Sequence, residues 1–181
     1  MTINDLINLD GVVKDEYYVN IVAKRTSRVY TNKFTDIIYW FYLKNNEWVL
    51  KSARCTTKSG LYYVDNFLNP KGTGIIKPGF YKDSHMIGYH KGQYKALVQK
   101  SPITVFRDKD KDDWVDYVQE ETGLFGINIH RANSQRESIQ VDKWSAACIV
   151  FSDPFKFNDF MTDCELHSTK HTNNFNLILI Q

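Results

Sequence analysis

The apolar positions of this chain come in short bursts rather than long stripes. Alternation, or enrichment in β-branched and aromatic residues, predicts strands over Asp36–Leu43 (DIIYWFYL), Glu47–Ala53 (EWVLKSA), Leu61–Val64 (LYYV) and Ala96–Gln99. The same signals mark Ile103–Phe106, Phe125–His130 (FGINIH), Ala147–Phe151 and Phe175–Ile180 (FNLILI). Lys44-Asn45-Asn46 between the first two has turn composition, so that pair reads as a hairpin. Only DPFKFNDFMTDC has a helix signature. Asp153 can cap it, Pro154 takes the first helical position, and Phe155, Phe157, Phe160, Met161 and Cys164 approximate an apolar stripe. The polar run HSTKHTNN that follows reads as a loop. Eight short strands and one helix predict a mainly β domain, a β-sandwich or partly open barrel with a helix packed after the strand Ala147–Phe151.

Length and composition narrow the picture further. A chain of 181 residues suits one domain with a sizeable core. Twenty-three Lys and Arg against 21 Asp and Glu leave a net charge of +2, which argues against a nucleic-acid protein held by a broad basic field. No apolar run approaches the roughly eighteen residues of a membrane helix, so no membrane partner is expected. Asn4, Asp5, Asn8 and Asp10 interrupt the early apolar residues, and the expectation is a protein made in the cytoplasm without an export signal. Three cysteines, Cys55, Cys148 and Cys164, with no C-x-x-C spacing fit neither a disulfide framework nor a four-cysteine zinc site.

The residues that carry chemistry sit at strand ends. His130 closes FGINIH, and Cys148 stands in WSAACIVF at the head of an apolar strand. An imidazolium beside a thiol would lower its pKa and favour the attacking thiolate, and small Ala146 and Ala147 would let a substrate carbonyl approach the backbone amides of Ala147 and Cys148, an oxyanion site. Taken alone, a cysteine before an apolar strand is more often inert core. Cys55 and Cys164 are read that way.

The spacing changes that weighting. His130, the fourteen residues Arg131 to Trp144, then Ser145, Ala146, Ala147, Cys148 and Ile149 resemble the active-site signature of the L,D-transpeptidase catalytic-domain family: a His, a spacer, Ser or Thr, His, Gly, Cys and an apolar residue. His130, Ser145, Cys148 and Ile149 match, while Ala146 replaces the family's His, Ala147 its Gly and Val150 its usual Asn or Arg. The hairpin Asp36–Ala53, the segment KGTGIIKPGFYK and the strand FNLILI agree more weakly. The resemblance implies a catalytic domain over 36–181 with residues 1–35 as an extension packed on it. It implies a cysteine acyl-transfer enzyme that attacks a peptide bond beside a diamino acid of a peptidoglycan stem peptide and passes the acyl group to an amine or to water. His130 would be the base, its ring oriented by the backbone carbonyl of Arg131. Ser145 and Arg131 would complete the catalytic set, and Arg131 and Trp144 would contact substrate. Val150 in place of a polar residue leads one to expect an open substrate side.

A wall-directed site without an export signal suggests a phage-borne peptidase that reaches the wall on lysis or within a virion, with virion components as partners. Two other functions compete: a non-catalytic virion structural or binding protein keeping the fold, and a cytosolic cysteine peptidase with another substrate. No cofactor is implied, with calcium as the one metal suggested. Asp108, Asp110, Asp112 and Asp116 fall at positions one, three, five and nine of a calcium-loop spacing, although Asp113 stands where Gly is expected and Gln119 where Glu is; a solvated acidic loop is the other reading. His85 and His90 offer an additional active-site histidine, since Ala146 stands where the family has His, against an ordinary surface or hydrogen-bonded role, which the sequence favours; His167 and His171 would matter for metal only on a helix with a third ligand. Gly72 and Gly74 lack the Lys-Ser or Lys-Thr of a phosphate loop.

Overall fold

The computed structural model describes all residues, 1–181. Eight of its strands close into a barrel: β1 (Asn20–Lys24), β2 (Asp36–Lys44), β3 (Glu47–Thr56), β5 (Gly79–His90), β6 (Tyr94–Gln99), β9 (Ile129–Arg131), β10 (Ile149–Phe151) and β11 (Phe175–Ile180), in the order β1-β11-β5-β6-β9-β10-β3-β2. A second sheet stands beside it, with β7 (Ile103–Asp108) between β4 (Thr73–Ile76) and β8 (Gln119–Gly123). The fold is therefore mainly β, but neither a sandwich nor a partly open barrel. Closure comes from the 1–35 segment, whose β1 pairs antiparallel with β2 and parallel with β11.

Local chemistry explains most of the elements. Asn45 and Asn46 both take positive φ, 53° and 62°, which lets the β2–β3 hairpin turn in two residues with Lys44 opposite Glu47. Alternate residues of the barrel strands, among them Ile21, Ile38, Trp40, Leu97, Ile129, Ile149 and Phe151, form one buried cluster. Helix α3 (Pro154–Lys170) adds Phe157, Phe160, Met161 and Cys164 to it. Asp153 caps α3 by accepting from the N–H groups of Phe155 (2.8 Å) and Lys156 (3.4 Å). Asp163 ties the helix to the wall, accepting from Trp40 Nε1 at 2.8 Å and Tyr42 Oη at 3.1 Å. Residues of the opposite parity, Val22, Tyr39, Phe41 and Ile178, are covered by Leu6 of helix α1 (Ile3–Ile7). No helix is long and apolar enough to cross a membrane.

Four sequence expectations are corrected. LYYV is helix α2 (Leu61–Asp65), because Gly60 caps it and Asn32 Oδ1 accepts the Leu61 N–H at 3.2 Å; four apolar residues are too few for periodicity to separate strand from helix. The segment HSTK continues α3 to Lys170 instead of forming a loop. The predicted strand Phe125–His130 shortens to β9, since Gly126 at φ 71° breaks the extension and Gln99 Oε1 takes the N–H groups of Phe125 and Ile127 in place of a ladder. Ala147–Phe151 likewise shortens to β10.

Candidate active site

Parallel pairing of β9 and β10 sets Ile129 opposite Ile149 and His130 opposite Val150. The two isoleucines point into the core, so His130 lies on the other face together with Cys148, the residue that precedes β10. The half-buried Cys148 faces Asn128, whose backbone N–H points at Sγ at 3.4 Å, and the thiol in turn faces Gly126 O at 3.7 Å. The turn before it is pinned by Trp144 N–H to Val141 O (2.8 Å) and Gly60 N–H to Ser145 O (2.9 Å). Ser145 is fully buried and its Oγ donates to Cys148 O at 2.8 Å, which makes it a brace for the turn. The N–H groups of Ala147 and Cys148 have no acceptor in the protein.

His130 is held by its neighbour's backbone. Its Nδ1 lies 2.8 Å from Arg131 O, and because a carbonyl only accepts, Nδ1 carries the hydrogen and Nε2 keeps the lone pair. Tyr94 Oη donates to the same carbonyl at 3.1 Å. His130 Nε2 is buried without a hydrogen-bond partner. Burial, and secondly the adjacent His90, push the His130 pKa down to about 3. Burial also raises the Cys148 thiol, opposed by the Asn128 N–H and Lys91. The resting pair is thus a neutral thiol and a neutral imidazole, not joined by a hydrogen bond. The expected imidazolium-stabilised thiolate is corrected accordingly: desolvation disfavours both ions.

Two cavities meet at this point. One, of about 380 Å³, is lined by Cys148, His130, Ala147 and Trp144 together with Phe125 and Arg107. The other, of about 400 Å³, is lined by Tyr94, Arg131 and Asn133, and shares His130, His90 and Trp144 with the first. Trp144, 42% exposed, is positioned to touch a ligand in either. Arg131 stacks its guanidinium 4.0 Å from the Tyr94 ring centroid and lines only the second cavity, so its contribution beside the thiol is its carbonyl. Val150 is fully buried against Phe34, Ala132 and Val141, which removes the expected open substrate side: the position faces a satellite core.

Two further residues line the site: His90, for which the sequence favours an ordinary role over an active-site one, and Arg107, which the sequence does not mark. His90, at the end of β5, stacks on His130 with ring centroids 3.9 Å apart and planes at 18°, and its Nδ1 lies 3.0 Å from Asn128 Nδ2. The available signal was a histidine at a strand end before the turn residues Lys91 and Gly92, the same setting as His130. Arg107 reaches the first cavity from β7, and nothing local marks it.

The remaining candidates lie elsewhere. Asp108 is buried and accepts from Tyr30 Oη (2.9 Å) and Asp116 N–H (3.0 Å), Asp110 from Asp112 N–H (3.2 Å), and Asp112 from Trp114 N–H (2.6 Å). These aspartates brace turns, and no three His, Cys, Asp or Glu side chains of the protein converge as metal ligands. His85 is fully buried, bonded to Ser84 Oγ and Ile127 O. His167 and His171 sit at the end of α3 without a third ligand. Cys55 and Cys164 are fully buried, and burial raises both thiols. Comparison with protein families, with curated proteins and with solved structures finds no match to this chain.

Proposed function

We propose that the chain is a cysteine acyl-transfer enzyme of L,D-transpeptidase type, acting on peptide bonds beside a diamino acid in peptidoglycan stem peptides. The observation that carries this is the fixed tautomer of His130: Arg131 O holds Nδ1, and the unpartnered Nε2 belongs to a residue that lines one cavity with Cys148. Burial keeps the resting imidazole neutral, and the hydrogen on Nδ1 leaves the lone pair on Nε2. Cys148 Sγ attacks the carbonyl carbon as its proton passes to His130 Nε2; the carbonyl oxygen takes the negative charge and meets the free N–H groups of Ala147 and Cys148. Collapse breaks the C–N bond, and His130 returns the proton to the departing amine. Water or an amine then attacks the thioester carbon, giving its proton to Nε2, and the thiol is restored.

Incubation with purified muropeptides and mass spectrometry of the products tests the proposal. Shortened or exchanged stem peptides are expected from the native enzyme and none from Cys148→Ala. Unchanged muropeptides, or equal conversion by the variant, would overturn it.

A further inference from the structure

The cavity beside Cys148 carries a charge pattern that acyl transfer by itself does not demand. Lys91, Arg107 and Lys143 are in its wall, with no aspartate or glutamate. Neither lysine takes part in an ion pair. Arg107 is 8% exposed; its Nε donates to Glu121 at 2.7 Å and its guanidinium lies 4.8 Å from the Phe125 ring centroid. Glu121 also pairs with Lys71 at 3.1 Å, so two cations share one carboxylate and the trio keeps a net charge of +1. The outer nitrogens of Arg107 make no hydrogen bond within the protein. A Cβ at Gly74 would meet Arg107 Nη1 at 3.2 Å and Ala147 Cβ at 3.3 Å, so the guanidinium and the residue preceding Cys148 crowd the same bare stretch of backbone. A nearly buried guanidinium with its outer edge unpaired fits an anion in the cavity, and its planar fork matches a carboxylate.

We propose that this cavity takes an acyl donor bearing a free carboxylate, and that Arg107 clamps the carboxylate in bidentate fashion while Lys91 and Lys143 supply the surrounding field. The word donor rests on the acyl-transfer proposal; the carboxylate site rests on the wall of the cavity. It makes Arg107 a specificity-determining residue, contributed by the second sheet rather than by the barrel.

The test uses Cys148→Ala, which cannot turn over, titrated calorimetrically with a short diamino-acid peptide and with the same peptide amidated at every carboxyl group. Amidation is expected to weaken binding at least tenfold, Arg107→Gln to abolish the difference, and Arg107→Lys, which keeps the charge and loses the fork, to fall between. Because amidation leaves the protein untouched, a misfolded variant cannot imitate its effect. Equal binding of the two peptides, binding of neither, or an undiminished preference in a folded Arg107→Gln protein would overturn the site. A tenfold preference together with no turnover of either peptide by the native enzyme would overturn the acyl-transfer proposal and leave the carboxylate site standing. Equal kcat/KM on both peptides with equal binding would do the reverse.

Discussion

The protein contains two close histidine pairs, and they differ in the one respect that decides chemistry. His90 and His130 stack at 3.9 Å beside the cavity; His167 and His171 lie 5.1 Å apart at the end of α3. One member of each pair, His130 and His167, has a buried Nε2 without a partner, and burial lowers the pKa of each, to about 3 and about 4. Their tautomers are opposite. His130 offers Nδ1–H to Arg131 O and keeps the lone pair on Nε2, whereas His167 Nδ1 accepts the Val19 N–H at 3.0 Å, so its hydrogen is on Nε2. His167 is walled by Tyr18 and Phe175 and has its lone pair spent on the backbone. A depressed pKa therefore marks burial in both regions, and only the backbone partner distinguishes a ring with an unengaged lone pair from a strut.

The comparison breaks most sharply under mutation. Cys148→Ala should abolish turnover, and His130→Ala should lower kcat by about 10²- to 10⁴-fold, the usual contribution of a general base. His167→Ala should leave activity per folded molecule unchanged. Steady-state kinetics on muropeptides, normalised to folded protein, reads this directly; activity lost equally in both histidine variants would erase the distinction.

Acid should affect both regions alike. His85, His130 and His167 titrate near 4, 3 and 4 in the folded protein against 6.5 ordinarily, so between those values the unfolded chain binds more protons. Stability from these groups is complete above about pH 6.5 and falls as pH drops toward 4, by about 1.4 kcal/mol per pH unit for each histidine. Urea unfolding at stepped pH should show this slope, and His167→Gln should flatten it by one group's share. A stability independent of pH from 6.5 to 4 would contradict the burial of all three.

Smaller effects sharpen the picture. Val150→Asn should destabilise the fold by about 1–3 kcal/mol, the cost of an unsatisfied buried amide, with no gain in turnover. Iodoacetamide should modify Cys148 faster than Cys55 or Cys164, at a rate that climbs with pH through 9 without an acidic plateau. A plateau below pH 7 would point to a preformed thiolate.

How much of this the sequence reveals depends on the range of the interaction. The β2–β3 hairpin, the Asp153–Pro154 start of α3 and the strand Phe175–Ile180 are specified by neighbours and were legible. The sequence also places His130 and Cys148 at the ends of strands, and those strands are adjacent in the barrel with both residues lining one cavity. β5 was missed because Lys82, Asp83, Ser84 and His85 interrupt its apolar pattern, and β8 because QEETG has none. His90 and Arg107 enter the site from β5 and β7, and no local pattern encodes which distant strand meets β9.

Closure of the barrel also fixes when the protein can become itself. Ile21 pairs with Leu177, so the contact that closes the barrel joins strands far apart in sequence. Such a pairing carries a large loop-closure cost and places folding among the slow, high-contact-order topologies. On the ribosome, β1 and the longer β5 each wait with one open flank until β11 emerges between them, and those flanks are exposed to wrong pairing in the meantime.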